Sequence, residues 1–152
     1  MREDLFDDKV WFPPEHLPDL SGEKIIAVDV ETRDPNLLNL GPGWSRKDGN
    51  LIGIAVAASE WSAYLPIAHE GGGNMAKDLV LRWLQDQLNH GMSVVFHNAQ
   101  YDLGWLLTEG IEVKGTILDT MIAAPLLDEN RFSYSLNALG ATYLGQRKAE
   151  DE

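Results

Sequence analysis

The stretch that most constrains this chain is Lys24-Ile-Ile-Ala-Val-Asp29-Val-Glu31-Thr32, an apolar run that ends in two carboxylates two residues apart. The run predicts a strand over about residues 24–31. Side chains alternate faces along a strand, so Asp29 and Glu31 project from one side at its outgoing end. Two acids on one face repel each other. A hard divalent cation offsets that repulsion, because such ions take oxygen ligands. With 24 acidic residues in 152, one Asp-x-Glu pair is also what chance supplies. The pair therefore acquires meaning only from what the rest of the chain places beside it.

Length and composition narrow the field. A chain of 152 residues with 44% apolar content suits one domain with a real core. It has no cysteine, which excludes a disulfide framework and thiolate zinc sites and fits an intracellular protein. The longest apolar run, Leu51 to Ala58, is far too short to span a membrane. The net charge of −12 argues against a protein that grips a long duplex by its phosphates. An acidic site that receives a short strand end through bound cations is compatible with that charge, since the ions reverse it locally.

In chain order, Pro13, Pro14 and Pro18 make residues 1–22 an extended lead-in, with Trp11 and Phe12 expected to dock on the core. Residues 23–146 form the expected domain and 147–152 a solvated tail. After the first strand, Asp34 to Asn50 reads as a loop placed to overhang the acidic pair. Leu51 to Ala58 reads as a central strand buried on both faces, and Trp61 to Ile67 as a third strand, with antiparallel pairing favoured by the short connections. A helix capped by Asn74 is expected to about Asn89, with Leu79, Val80, Trp83, Leu84 and Leu88 on its apolar stripe. A fourth strand over 92–97 leads into a helix begun by Asn98. A fifth follows over 113–118. Short helices capped by Asp119 and Ser135 close the domain. The expected fold class is α/β: a mixed sheet of three antiparallel strands followed by parallel ones, flanked by helices.

A second acidic segment, Asn98-Ala-Gln-Tyr101-Asp102, opens the helix after the fourth strand. If that strand lies parallel beside the first, Asp102 approaches Asp29 and Glu31. Taken together, Ala27-Val-Asp29-Val-Glu31-Thr32, Asn98-Ala-Gln-Tyr101-Asp102, Ile117-Leu-Asp119-Thr-Met and Tyr134-Ser-Leu-Asn-Ala-Leu139 resemble the DEDD-type 3′→5′ exonucleases of RNase H-like fold. The closest likeness is to the proofreading exonuclease domain of family A DNA polymerases, over about residues 22–145.

The resemblance implies two divalent ions, Mg or Mn, held by Asp29, Glu31 and Asp102 as catalytic ligands. It places Thr32, Asn98 and Tyr101 at the substrate, a single-stranded DNA 3′ end. It also implies a polymerase domain in the same longer polypeptide and no membrane partner. The family's third motif, Tyr-x-x-x-Asp or His-x-x-x-x-Asp, has no separate counterpart. Tyr64, Tyr101, Tyr134 and Tyr143 are followed four residues on by Ala68, Trp105, Ala138 and Arg147, and the Asp five after His97 is Asp102 itself. The expectation is thus a fragment or a reduced relative, binding metal weakly and cleaving poorly. An RNA-trimming exonuclease resembling RNase D is the enzymatic alternative, and a non-catalytic scaffold or strand-binding domain of the same fold is the other. Asp119 is expected as a helix cap, His97 as a strand-end residue, and Trp83 and Trp105 as core.

Overall fold

The computed structural model describes residues 12–146. Its centre is a five-stranded sheet in the order β3-β2-β1-β4-β5. The strands are β1 (Ile25–Arg33), β2 (Asn50–Ala57), β3 (Ser62–Pro66), β4 (Ser93–Phe96) and β5 (Ile117–Asp119). β1 pairs antiparallel with β2, and β2 with β3; β4 lies parallel to β1, and β5 parallel to β4. This is the expected mixed sheet, and it puts the strand bearing Asp29 and Glu31 in the middle.

The core lies on one face of that sheet. Ile26, Val28 and Val30 of β1 are buried, while Ala27, Asp29 and Glu31 between them are exposed. Two main helices cover the buried face. In α1 (Lys77–Leu88), Val80, Leu84 and Leu88 are buried at helical spacing; in α2 (Ala99–Thr108), Trp105 and Leu106 are buried. Two shorter helices follow, α3 (Thr120–Leu127) and α4 (Leu136–Tyr143), the latter capped as expected by Ser135, whose side chain accepts from the Ala138 N–H.

Four local expectations need correction. β2 is not buried on both faces: Leu51, Ile54 and Val56 are buried, but Ile52, Ala55 and Ala57 are only half-buried, because among the described residues little packs on the second face of the sheet. α1 begins at Lys77 rather than at an Asn74 cap. Asn74 instead closes the preceding loop, accepting from the His69 N–H and donating to the His69 carbonyl. Leu79 falls on the exposed side of α1, and Gln87, about two turns further on, is buried, its side-chain oxygen accepting from the Leu20 N–H at 2.7 Å. Finally, Phe12 is 76% exposed and does not dock. The lead-in is anchored by Leu20, which is buried, and by the Pro18 carbonyl, which accepts from Trp83 Nε1. Trp11, the start of the lead-in and the 147–152 tail lie outside the described residues.

The loop after β1 is more ordered than its Gly and Pro content suggests. It holds a helical turn at Leu37–Leu40 and a 3-10 turn at Gly43–Ser45. Arg46 stitches it by donating to the Leu40 and Gly41 carbonyls.

Candidate active site

The site is built at the outgoing ends of β1 and β4. β1 outruns β4, whose pairing with it covers only Ile25 to Ala27. Beyond that point the β1 backbone needs another partner. Asp102, in the first turn of α2, provides it: the Val30 N–H donates to Asp102 Oδ1 at 2.9 Å. The residues on either side of Val30 are Asp29 and Glu31. One hydrogen bond thus ties the second acidic segment to the centre of the first.

Asp102 is 3% exposed. Burial pushes its carboxyl up to about 7, with the Asp29 charge adding and the Val30 N–H opposing. Asp29 and Glu31 stand on the exposed side of β1, as the period-two pattern requires. The structure therefore brings Asp29 and Asp102 within electrostatic reach across the strand edge and keeps Glu31 on the Asp29 face.

All three are oxygen donors, and the repulsion between Asp29 and Asp102 is what a cation relieves, so these residues fit a hard divalent ion. Among the described residues no group of three or more Asp, Glu, His or Cys side chains is gathered closely enough to enclose a metal. Mg²⁺ commonly uses one or two protein carboxylates and completes its shell with water and substrate phosphate. The donor set here suits that mode of binding and not a closed protein cage.

The expected substrate residues lie on the segments that carry the carboxylates, Thr32 on β1 and Asn98 and Tyr101 at the start of α2. Thr32 Oγ1 and the Tyr101 hydroxyl share a hydrogen bond of 2.7 Å, and that hydroxyl also donates to Asp34 Oδ2 at 3.2 Å. Asp34 Oδ2 in turn accepts from the Gly43 N–H. Tyr101 therefore joins α2, the end of β1 and the 34–50 loop. Asn98 precedes α2 with φ of 78°, the left-handed region that non-glycine residues seldom adopt. It makes no side-chain cap bond.

What holds Asn98 in that conformation is Asp119, whose larger role had no signal in the spacing. Asp119 caps α3 as expected, accepting from the Met121 N–H. It also accepts from the Asn98 and Ala99 N–H groups at 3.0 and 2.8 Å. Burial alone would raise its carboxyl, but the N–H groups of Asn98, Ala99, Met121 and Ile122 outweigh that and hold it below the usual carboxylate range. One acid thus starts two helices. His97 shares a hydrogen bond with Thr120 through Nδ1, in keeping with a strand-end residue. Trp105 is core, and Trp83 packs at its edge.

A groove of about 530 Å³ runs along the exposed face of the sheet past Asp29, lined by Ala55, Ala57, Ala63, Tyr64, Val95 and His97 among others. The linking residue Asp34 and the groove residue Tyr64 lie in segments with no periodic or motif signal that marks them for function.

A mixed sheet of this order, with carboxylates at the outgoing end of its central strand and a third at the start of the helix after the neighbouring strand, defines the RNase H-like exonuclease fold. Comparison with known proteins agrees. Solved structures that share the fold include Brucella melitensis NrnC bound to pGG, with a TM-score of 0.62 at 22% identity over 90% of this chain and 61% of that one. Another is Escherichia coli RNase D, with a TM-score of 0.58 at 18% identity over 85% of this chain and 30% of that one. In sequence, a DNA-directed DNA polymerase of Pseudomonas phage M6 is 41% identical over 85% of this chain, which corresponds to 20% of the polymerase. The 3′-5′ exonuclease family matches residues 15–152, and the chain belongs to that family. It spans about a fifth of the length of the phage polymerase it matches.

Proposed function

We propose that this chain is the proofreading-type exonuclease domain of a longer intracellular DNA polymerase, with residues 23–146 as the working unit. Its reaction removes the 3′-terminal nucleotide from single-stranded DNA. The observation that carries this reading is the Val30 N–H bond to Asp102, which sets a buried carboxylate at the strand edge between Asp29 and Glu31. The polymerase attachment is supported by the phage polymerase, of which the matched region is a minor part.

Hydrolysis at a strand end makes one bond and breaks one. A water-derived hydroxide attacks the terminal phosphorus, the bond to the preceding 3′ oxygen breaks, and that oxygen takes a proton. Two divalent cations, Mg²⁺ or Mn²⁺, would supply a lowered water pKa and charge neutralisation at the leaving oxygen. In this reading Asp29, Glu31 and Asp102 are their ligands. Asp102, fixed by the Val30 amide, loses no mobility when it binds, which favours a rigid site. Thr32 and Tyr101, already bonded to each other, present a fixed wall to the terminal nucleotide. Asn98, at the strained turn that opens α2, is the third residue this reading assigns to the strand end.

The test is digestion of a 3′-labelled single strand with Mn²⁺. Release of single nucleotides, lost with a 3′-blocked strand and in Asp29→Ala, is the expected result. Turnover should be slow, in keeping with three carboxylates and no third-motif tyrosine in the sequence. Equal or faster release from an RNA strand of the same sequence, digested alongside, would move the reading to RNA trimming. Strand binding with no release by the wild-type chain or a longer form would move it to a scaffold.

A further inference from the structure

The exposed face of the sheet carries a second feature beside the acidic pair. Strand register sets Glu31 opposite Gly53, and Asp29 opposite Ala55, which is itself opposite Tyr64. Tyr64 is therefore in the Asp29 row, one strand removed. Its ring, however, leans along the sheet. A Cβ built on Gly53 would stand 1.9 Å from the Tyr64 hydroxyl and 2.3 Å from Cζ. The phenol end of Tyr64 thus occupies the space that the missing Gly53 side chain leaves, and Gly53 is Glu31's direct cross-strand neighbour. Directly opposed side chains in a sheet are in contact range. The hydroxyl is also anchored from behind, at 2.5 Å from His69 Nε2, with the two rings edge to face.

We propose that Tyr64 is a positioning residue for Glu31: its hydroxyl, held by His69 in the slot that Gly53 leaves open, donates a hydrogen bond to the Glu31 carboxylate and fixes its orientation for cation binding. The inference rests on the exonuclease reading above. With the His69 tautomer that carries its proton on Nε2, the ring donates to the phenol oxygen, which leaves the phenol proton for the carboxylate. An ordinary phenol is protonated at neutral pH, so the donor is present. A donor of this kind fixes the geometry of a ligating carboxylate, and removing such partners commonly weakens metal affinity by about 10–100-fold.

The experiment is Mn²⁺ titration of the chain, read by the electron spin resonance of the free ion, in a double-mutant cycle with melting temperature as a fold control. Tyr64→Phe keeps the ring and removes the donor. It should weaken Mn²⁺ binding about ten-fold in the wild-type background and leave it unchanged in Glu31→Ala. Gly53→Ala, which must push the phenol aside, should weaken binding in the same direction. Equal effects of Tyr64→Phe with and without Glu31, or no effect while Glu31→Ala itself weakens binding, would overturn this inference alone. No effect of Glu31→Ala or Asp29→Ala would overturn the metal reading and this inference with it.

Discussion

Asp102 and Asp119 are both acids at helix starts, and the structure gives them opposite electrostatic fates. Asp102 is buried and near the Asp29 charge, and these outweigh its backbone donors, so its carboxyl rises to about 7. An acid whose folded pKa is raised leaves the native state holding more protons than the unfolded state, so stability falls as pH climbs from about 4 to about 7. Asp102→Asn keeps an oxygen for the Val30 N–H and removes the charge. At pH 8 without divalent ions it should be more stable than wild type by on the order of 1–3 kcal/mol in urea unfolding, with the gap closing below pH 4.

Asp119 behaves in the other sense. Its carboxyl is lowered by four backbone donors that outweigh burial, so its contribution is present above the ordinary carboxylate pKa and lost as pH falls through the lowered value. Asp119→Ala should cost about 2 kcal/mol at neutral pH, the upper end for one cap, because it releases the starts of α2 and α3 together. The motif made Asp102 legible as a site residue, and helix-start logic made Asp119 legible as a cap. The link from Asp119 to Asn98 could not be read, because it joins residues 21 apart whose proximity depends on the β4–β5 pairing.

At the scale of elements, alternation and short connections were enough to give the antiparallel start and the parallel strands that follow, with β4 beside β1; the place of β5 beside β4, and its start at Ile117 and not 113, were not read. What they missed has a common cause. Leu51 to Ala58 is apolar enough for two-sided burial, but whether its second face is covered depends on what the chain packs there, which hydropathy does not encode. The α1 stripe was displaced because Gln87, polar in sequence, is buried as the partner of the Leu20 amide. The loop after β1 is fixed on α2 by a close approach: a Cβ on Gly104 would stand 2.4 Å from the Trp44 ring. Gly104→Ala would gain about 1 kcal/mol of helix propensity on a neutral site. Here the collision should win, with a net loss of about 1–3 kcal/mol in thermal unfolding and a loosened 34–50 loop. An increase in stability would mean that Trp44 is free to move aside.

The whole molecule sets an electrostatic problem for its own proposed substrate. In the proposed reaction a chain of net charge −12 must receive a polyanion beside Asp29, Glu31 and Asp102. Cations resolve this only if they bind at the carboxylates themselves. Strand binding should therefore require a divalent ion, and Ca²⁺ should support it. Among the described residues no helix is long and apolar enough to cross a membrane. The candidate ligands on β1 and α2 stand 73 residues apart at the extremes, and the parallel pairing of β1 with β4 brings Asp102 to the Val30 amide, which lies between Asp29 and Glu31 in the chain.

The most direct measurement is an anomalous-difference map from crystals soaked in Mn²⁺ with a short single strand whose terminal linkage resists hydrolysis. The account predicts peaks between the Asp29, Glu31 and Asp102 carboxylates and the terminal phosphate, with the 3′ end against Thr32 and Tyr101. Manganese absent from these three residues, or bound elsewhere with the strand in another groove, would contradict it.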